Sequence, residues 1–187
     1  MKSKRKKGVV GTGAMSDPYN PFEKMFSLTR SALESIDNNG FGVAIATKSD
    51  LIVRDIDILT RIKKHSPVLC KITITTAEDD LCREIEPNVV VTSKRFEAVK
   101  RLSENGIYTG ILLMPILPFI NDTEENIINI IRLAKESGAK FIYPDFGVTL
   151  RSNQREHFFD IIDKSFPKIK EKYMKSFGND YMCNSPN

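Results

Sequence analysis

Hydroxyl and charged side chains recur in this 187-residue chain wherever an apolar run gives out. Ser16 and Asp17 follow "VVGTGAM", while Thr47, Lys48, Ser49 and Asp50 follow "GVAIA". Thr73, Thr75 and Thr76 close the run "VLCKITITT". Any one of them alone reads as a turn residue or helix cap. As a set at successive run ends they suit hydrogen bonding to the sugar and carboxylate of a small polar cofactor. Other chemistries lack their residues. "GTGAMS" has neither G-x-G-x-x-G spacing nor the lysine–hydroxyl pair of a P-loop. Cys70, Cys82 and Cys183 are too far apart for a C-x-x-C pair, so no zinc site or self-contained iron–sulfur site is visible, and no metal ligand is assigned. No Ser-His-Asp pairing is suggested, and His65 and His157 read as structural.

The elements that must position those rim residues alternate along the chain. Five short apolar, β-branched runs begin at Gly8, Gly42, Val68, Ile107 and Lys140 and read as strands. Amphipathic segments lie between them, the first with Leu28, Ala32, Leu33 and Ile36 on one face and Asn-Asn-Gly at its end. The segment "DTEENIINIIRLAKESG" opens on Asp122 as a cap, carries Glu124 and Glu125 in its first turn and stops at Gly138. Two more helices are predicted over Gln154–Lys164 and Pro167–Phe177, and residues 178–187 read as a coil tail. Strands about 30 residues apart with helices between them imply parallel β/α units with right-handed crossovers. Periodicity leaves an open doubly wound sheet and part of a barrel equally available. Both put function at the carboxyl ends of the strands.

The length suits one domain spanning residues 1–187, and 41% hydrophobic with 28% charged residues is ordinary for a globular chain. No apolar run approaches the roughly 20 residues needed to cross a bilayer, so a cytoplasmic protein without a membrane partner is expected. The net charge of +4 owes much to Lys2, Lys4, Arg5, Lys6 and Lys7. A basic run at a chain end is ordinarily solvated, and contact with nucleic acid is its less common use.

Five segments, "GTGAMSDPYNPFEKMFSLTR", "ATKSDLIVRDIDIL", "ITITTAEDDLCREIEPN", "RFEAVKRLSENGI" and "MPILPFINDTEENI", carry a family resemblance. In order and interval they resemble the radical S-adenosylmethionine (SAM) proteins of the spore photoproduct lyase group, which includes DNA-repair-photolyase-like proteins. The resemblance runs from about Gly8 to the C-terminal "YMCNSPN". It implies an incomplete parallel (β/α) barrel, a partial TIM-type radical-SAM core in which the five predicted strands lie side by side. It also implies a [4Fe–4S] cluster on C-x-x-x-C-x-x-C after the first barrel strand, and SAM across the strand ends. Reductive cleavage of SAM would give a 5′-deoxyadenosyl radical, the cofactor carrying the hard step. "VVGTG" resembles the second barrel strand, so the chain is expected to lack the first β/α unit and the cluster loop. Catalysis by these 187 residues alone is therefore not expected.

The resemblance implies site residues by position. Ser16, beside Asp17, matches a serine that contacts SAM. Lys48 matches a lysine at the same site, suited to the SAM carboxylate as a point charge. Thr73 matches a serine touching the cofactor, and Thr75 belongs to the same rim. Met114 to Ile116 fall where the fifth barrel strand passes the adenine. Spore photoproduct lyases carry a hydrogen-donating cysteine two residues before the serine; here that position is Ala14, so thymine-dimer repair is not expected. Arg151 and Arg155 are candidates for binding a phosphate or acid of the substrate. Three readings follow. The chain is the C-terminal part of a radical-SAM enzyme with an unknown substrate, nucleic acid included, self-associating through an unfinished barrel edge. Alternatively it is a cluster-free module binding SAM or a partner, or a noncatalytic subunit completed by another chain.

Overall fold

A computed structural model describes residues 6–186; the basic residues Lys2, Lys4 and Arg5 lie outside that range. Strands β1 (Val9–Thr12), β2 (Gly42–Thr47), β3 (Val68–Thr73), β4 (Tyr108–Leu113) and β5 (Ile142–Pro144) form where β-branched and apolar residues are densest. They make one parallel sheet in the order β1-β2-β3-β4-β5. That order resolves the choice left by periodicity. A doubly wound sheet reverses direction at a switch point, whereas a barrel advances strand by strand around its axis. The fold is an incomplete parallel β/α barrel.

Burial follows from the two-residue period of a strand. Val43 and Ile45, Cys70 and Ile72, and Ile111 point to the helices and are fully buried. Alternate residues Ala44, Ala46, Lys71, Thr73 and Leu112 face the other way, into a groove. Helices α1 (Glu23–Phe26), α2 (Leu28–Asn38), α3 (Ile56–Lys63), α4 (Asp79–Ile85), α5 (Thr92–Glu104) and α6 (Glu124–Glu136) follow in turn, with a 3-10 turn over Asp50–Asp55 before α3. Their apolar stripes cover the convex face through Leu33, Ile58, Leu59, Ile62, Val99, Leu102 and Ile130. Two expectations at α6 and the C-terminus are corrected. Thr123, not Asp122, caps α6 by accepting the Asn126 N–H at 3.2 Å. Asp122 is instead buried and accepts a hydrogen bond from the Ser185 hydroxyl at 2.6 Å.

The tail expected to be coil contains a strand. Beyond β5 come β6 (Gly147–Thr149), α7 (Gln154–Ser165), α8 (Ile169–Phe177) and β7 (Met182–Asn184), and β7 pairs antiparallel with β6. The physical reason is a second core that no three-residue pattern could announce. Cys183 is fully buried with Leu150, Phe159, Ile162, Ile169 and Tyr173, and the Phe119, Phe158, Phe159 and Phe177 rings surround Tyr173. Gly147 is required in the ribbon, since a Cβ there would stand 2.9 Å from the Cys183 carbonyl. The β6–β7 ribbon supplies one wall of the groove.

Candidate functional site

The site begins with a glycine. Gly13 takes φ +93°, and a Cβ on it would lie 2.0 Å from the Ala46 carbonyl oxygen. Only glycine allows this crossing of one backbone over the end of β2. Past the crossing, the Asp17 carboxylate ties the loop down. Its Oδ1 accepts the Tyr19 N–H at 2.9 Å and the Thr47 hydroxyl at 2.6 Å, and its Oδ2 accepts the Lys48 N–H at 2.7 Å. Asp17 therefore fastens the first strand end to the second, leaving Ser16 exposed at the lip.

A buried ion network anchors the same loop from behind. The Tyr19 hydroxyl donates to Asp55, which is fully buried and meets Arg30 at 2.9 Å and Arg54 at 2.8 Å. Arg54 also pairs with the buried Glu23 at 2.6 Å. Burial, with the Asp55 carboxylate beside it, pushes the Tyr19 phenol far above its usual range, so it stays a donor. Carboxylates buried this deeply are tolerable because each meets an arginine guanidinium.

Lys48 is held at its far end too. Its ammonium pairs with Glu86, whose other oxygen pairs with Arg95 at 2.8 Å. Arg95 is 1% exposed and donates to the Val90 carbonyl at 2.6 Å and the Thr73 carbonyl at 3.0 Å. Burial alone would raise the Glu86 carboxyl, but Lys48 and Arg95 outweigh it and hold it below the usual carboxylate range. The chain Arg95–Glu86–Lys48 thus links the end of β3 to the end of β2.

Between these ends lies an open groove of roughly 910 Å³. Gly11, Ala44 and Ala46 give it a floor of small residues, and Ser16, Thr47, Lys48 and Thr73 form a hydroxyl-rich lip. Leu112, Met114, Val148 and Met182 supply apolar walls. Ser16, Asp17, Lys48, Thr73 and Met114, all singled out in the sequence, line this groove together. Thr75 and Ile116 do not. The Thr75 carbonyl accepts from Asn121 and Asn126, and Ile116 is fully buried with its N–H on the Asp145 carbonyl. Arg151 and Arg155 also lie off the groove. Arg151 donates to the Tyr181 hydroxyl at 3.0 Å, and Arg155 to the carbonyls of Gly178 and Asp180. Their guanidiniums fasten the C-terminal ribbon.

Several groove residues went unread in the sequence. Ala44 and Ala46 had a signal, since small residues at alternate positions of "GVAIAT" leave room on one face. Lys71 had one also, as the lone charge inside "VLCKIT". Asn184 and Met182 had none, because their strand depends on tertiary pairing.

The groove has the hydroxyl-lined edge and small-residue floor that suit a small polar ligand such as SAM. It does not fit an iron–sulfur cluster. Cys70 points to the helices and burial pushes its thiol up to about 12. The Cys82 sulfur accepts from Arg95 at 3.5 Å, and Cys183 lies in the second core. None lines the groove, and among the described residues no group of three or more His, Cys, Asp or Glu is placed to hold a metal. Among them, too, no helix is long and apolar enough to cross a membrane.

Comparison with known proteins gives a consistent fold. No family model matches the chain. An uncharacterized protein of Methanocaldococcus jannaschii is 40% identical over 124 residues, covering 66% of this chain and 46% of that protein. The chain spans about half the length of the curated relatives it matches, at 46% and 49% for the first two. Among solved structures, Streptococcus suis SuiB bound to S-adenosylmethionine superposes with a TM-score of 0.52 at 15% identity, over 83% of this chain and 35% of that one. Spore photoproduct lyase complexed with dinucleoside spore photoproduct does so with a TM-score of 0.51 at 16% identity, over 86% and 45%. The chain has a radical-SAM-like fold.

Proposed function

We propose that this chain is the SAM-binding part of a radical-SAM enzyme, holding the cofactor in the groove along the strand ends. The observation that carries the reading is the Asp17 fastening, which sets Ser16 and Lys48 on one lip, beside Thr73 at the end of the paired strand β3 and above a floor of small residues. Lys48 would meet the cofactor carboxylate as a point charge, its stem already set by Glu86. Ser16 and Thr73 would hydrogen-bond the polar groups of the ligand, and Met114 would pack against its base. When bound beside a reduced iron–sulfur cluster, SAM supplies a hydrogen-abstracting carbon radical. The residues described here contribute binding and positioning only. The substrate stays open, with nucleic acid among the candidates.

The placement of the cysteines supports a second reading, in which SAM or a related ligand binds with no redox chemistry at all. Equilibrium dialysis of the 187-residue protein against radiolabelled SAM tests both. We expect saturable one-to-one binding, weakened about tenfold or more in Lys48→Met, the loss of a charge-assisted contact. Absence of binding, or binding indifferent to Lys48, would refute both. A search for 5′-deoxyadenosine after cluster reconstitution and chemical reduction, made on the gene product extended upstream in frame, separates the two: the first reading expects it and the cluster-free reading forms none.

A further inference from the structure

Lys71 has no part in the lip just described. It lies two residues before Thr73 on the same face of β3, about 6.6 Å deeper along the strand. In register it stands between Ala46 and Gly110. Neither flank carries charge, and the Gly110 side is filled by the Phe141 ring, which a Cβ at position 110 would meet at 2.4 Å. Among the described residues the Lys71 ammonium has no hydrogen bond and no ion pair, although it is only half-exposed. The other charges that line the groove have partners of their own or stand on another strand. Lys48 is on Glu86 and Asp17 is on its three donors. Asp145 also lines the groove, but it follows Pro144, the partner of Leu113, so its backbone stands two strands from Lys71 and about 13 Å further along the strand direction.

The Lys71 ammonium is thus a cation in the groove with no hydrogen bond or ion pair of its own, free to take a counter-charge from a ligand. We infer that Lys71 is the anchor for an oxyanion of the substrate, a phosphate or carboxylate group bound on the groove floor beneath the cofactor lip. The inference rests on reading the groove as a binding cleft, but it names a different residue, depth and ligand. The small side chains of Gly11, Ala44 and Ala46 leave the approach to Lys71 open from the β1 side. Substrates without an anionic group are thereby disfavoured, because they would leave the ammonium covered and unpaired.

The test is a ¹H–¹⁵N NMR titration of the full chain with inorganic phosphate, and separately with acetate, against sodium chloride of equal ionic strength. The expected result is a saturable shift of the Ala46, Lys71 and Gly110 amides with one or both oxyanions. Lys71→Met should weaken it about tenfold or more, while Lys71→Arg stays within about threefold. Preference for phosphate assigns a phosphate-bearing substrate, and preference for acetate a carboxylate. An oxyanion shift that persists in Lys71→Met, or that falls only on Lys48 and its neighbours, overturns the inference. Dialysis with SAM on the same variants keeps the two proposals apart. Intact SAM binding with no Lys71-dependent oxyanion site defeats this inference alone. A Lys71-dependent oxyanion site without SAM binding defeats the cofactor reading alone.

Discussion

Replacing Asp17 should separate a positioning carboxylate from a ligand. Its carboxylate accepts three hydrogen bonds, from the Tyr19 N–H, the Thr47 hydroxyl and the Lys48 N–H. Hydrogen bonds to charged groups net about 1.5–3 kcal/mol each, but the side chain is only half-buried and water can replace part of what is lost. Asp17→Ala should therefore cost about 2–4 kcal/mol of folding stability. Asp17→Asn makes a sharper forecast. Its oxygen, set where Oδ1 stands, still accepts from the Tyr19 N–H and the Thr47 hydroxyl, while its amide faces the Lys48 N–H, which loses its acceptor. The opposite orientation would lose more, since Thr47 already accepts the Ser49 N–H at 3.0 Å and the Tyr19 N–H would go unmet. The asparagine variant should lose about 1–2 kcal/mol, midway between wild type and alanine. Urea unfolding at pH 7, with the slope checked for constancy, reads both values. An alanine variant within about 0.5 kcal/mol of wild type, the ordinary range for surface changes, would refute the argument. So would an asparagine variant as costly as alanine.

Other outcomes follow from the same geometry. Glu86→Gln leaves the buried Arg95 short of its counter-charge and should cost about 2–4 kcal/mol at neutral pH, read by the same unfolding curves. Because the folded protein lowers the Glu86 pKa, its contribution is present above the unfolded value of 4.5 and is lost as pH falls through the folded one. The wild-type advantage should hold steady above that value and shrink below it; a gap independent of pH down to pH 2 would contradict the pairing. Gly13→Ala should destabilise by about 2 kcal/mol or more, from left-handed strain and collision with the Ala46 carbonyl. Unchanged melting would show that the crossing is not fixed. All three thiols are buried, so native protein should react with a thiol reagent only on unfolding, and fast labelling of any one would place it wrongly here.

How much of this could be read in the sequence depended on range. The strands and helices of the barrel rest on local periodicity, and the runs at Gly8, Gly42, Val68, Ile107 and Lys140 became the five parallel strands. The lip was legible because a strand end puts its hydroxyls in a fixed place, so Ser16, Lys48 and Thr73 converge as soon as neighbouring strands align. Thr75 was misleading for the opposite reason: past the strand end the chain turns, and its carbonyl is drawn to Asn121 and Asn126. Arg151 and Arg155 were read from charge alone, and the sequence does not show that the carbonyls of Gly178 and Asp180 engage Arg155 away from the groove. The β7 strand and the Glu86–Lys48 pair were invisible, since each depends on a partner many residues away whose approach only the tertiary fold dictates.

The most direct measurement is where SAM lands. A ¹H–¹⁵N NMR titration of the wild-type chain with SAM should move the amides of Gly13, Ser16, Lys48 and Thr73 together, with one common dissociation constant. The second core, from Phe158 to Phe177, should stay still. Shifts spread over the surface, confined to that second core, or absent at saturating cofactor would contradict the assignment of this groove.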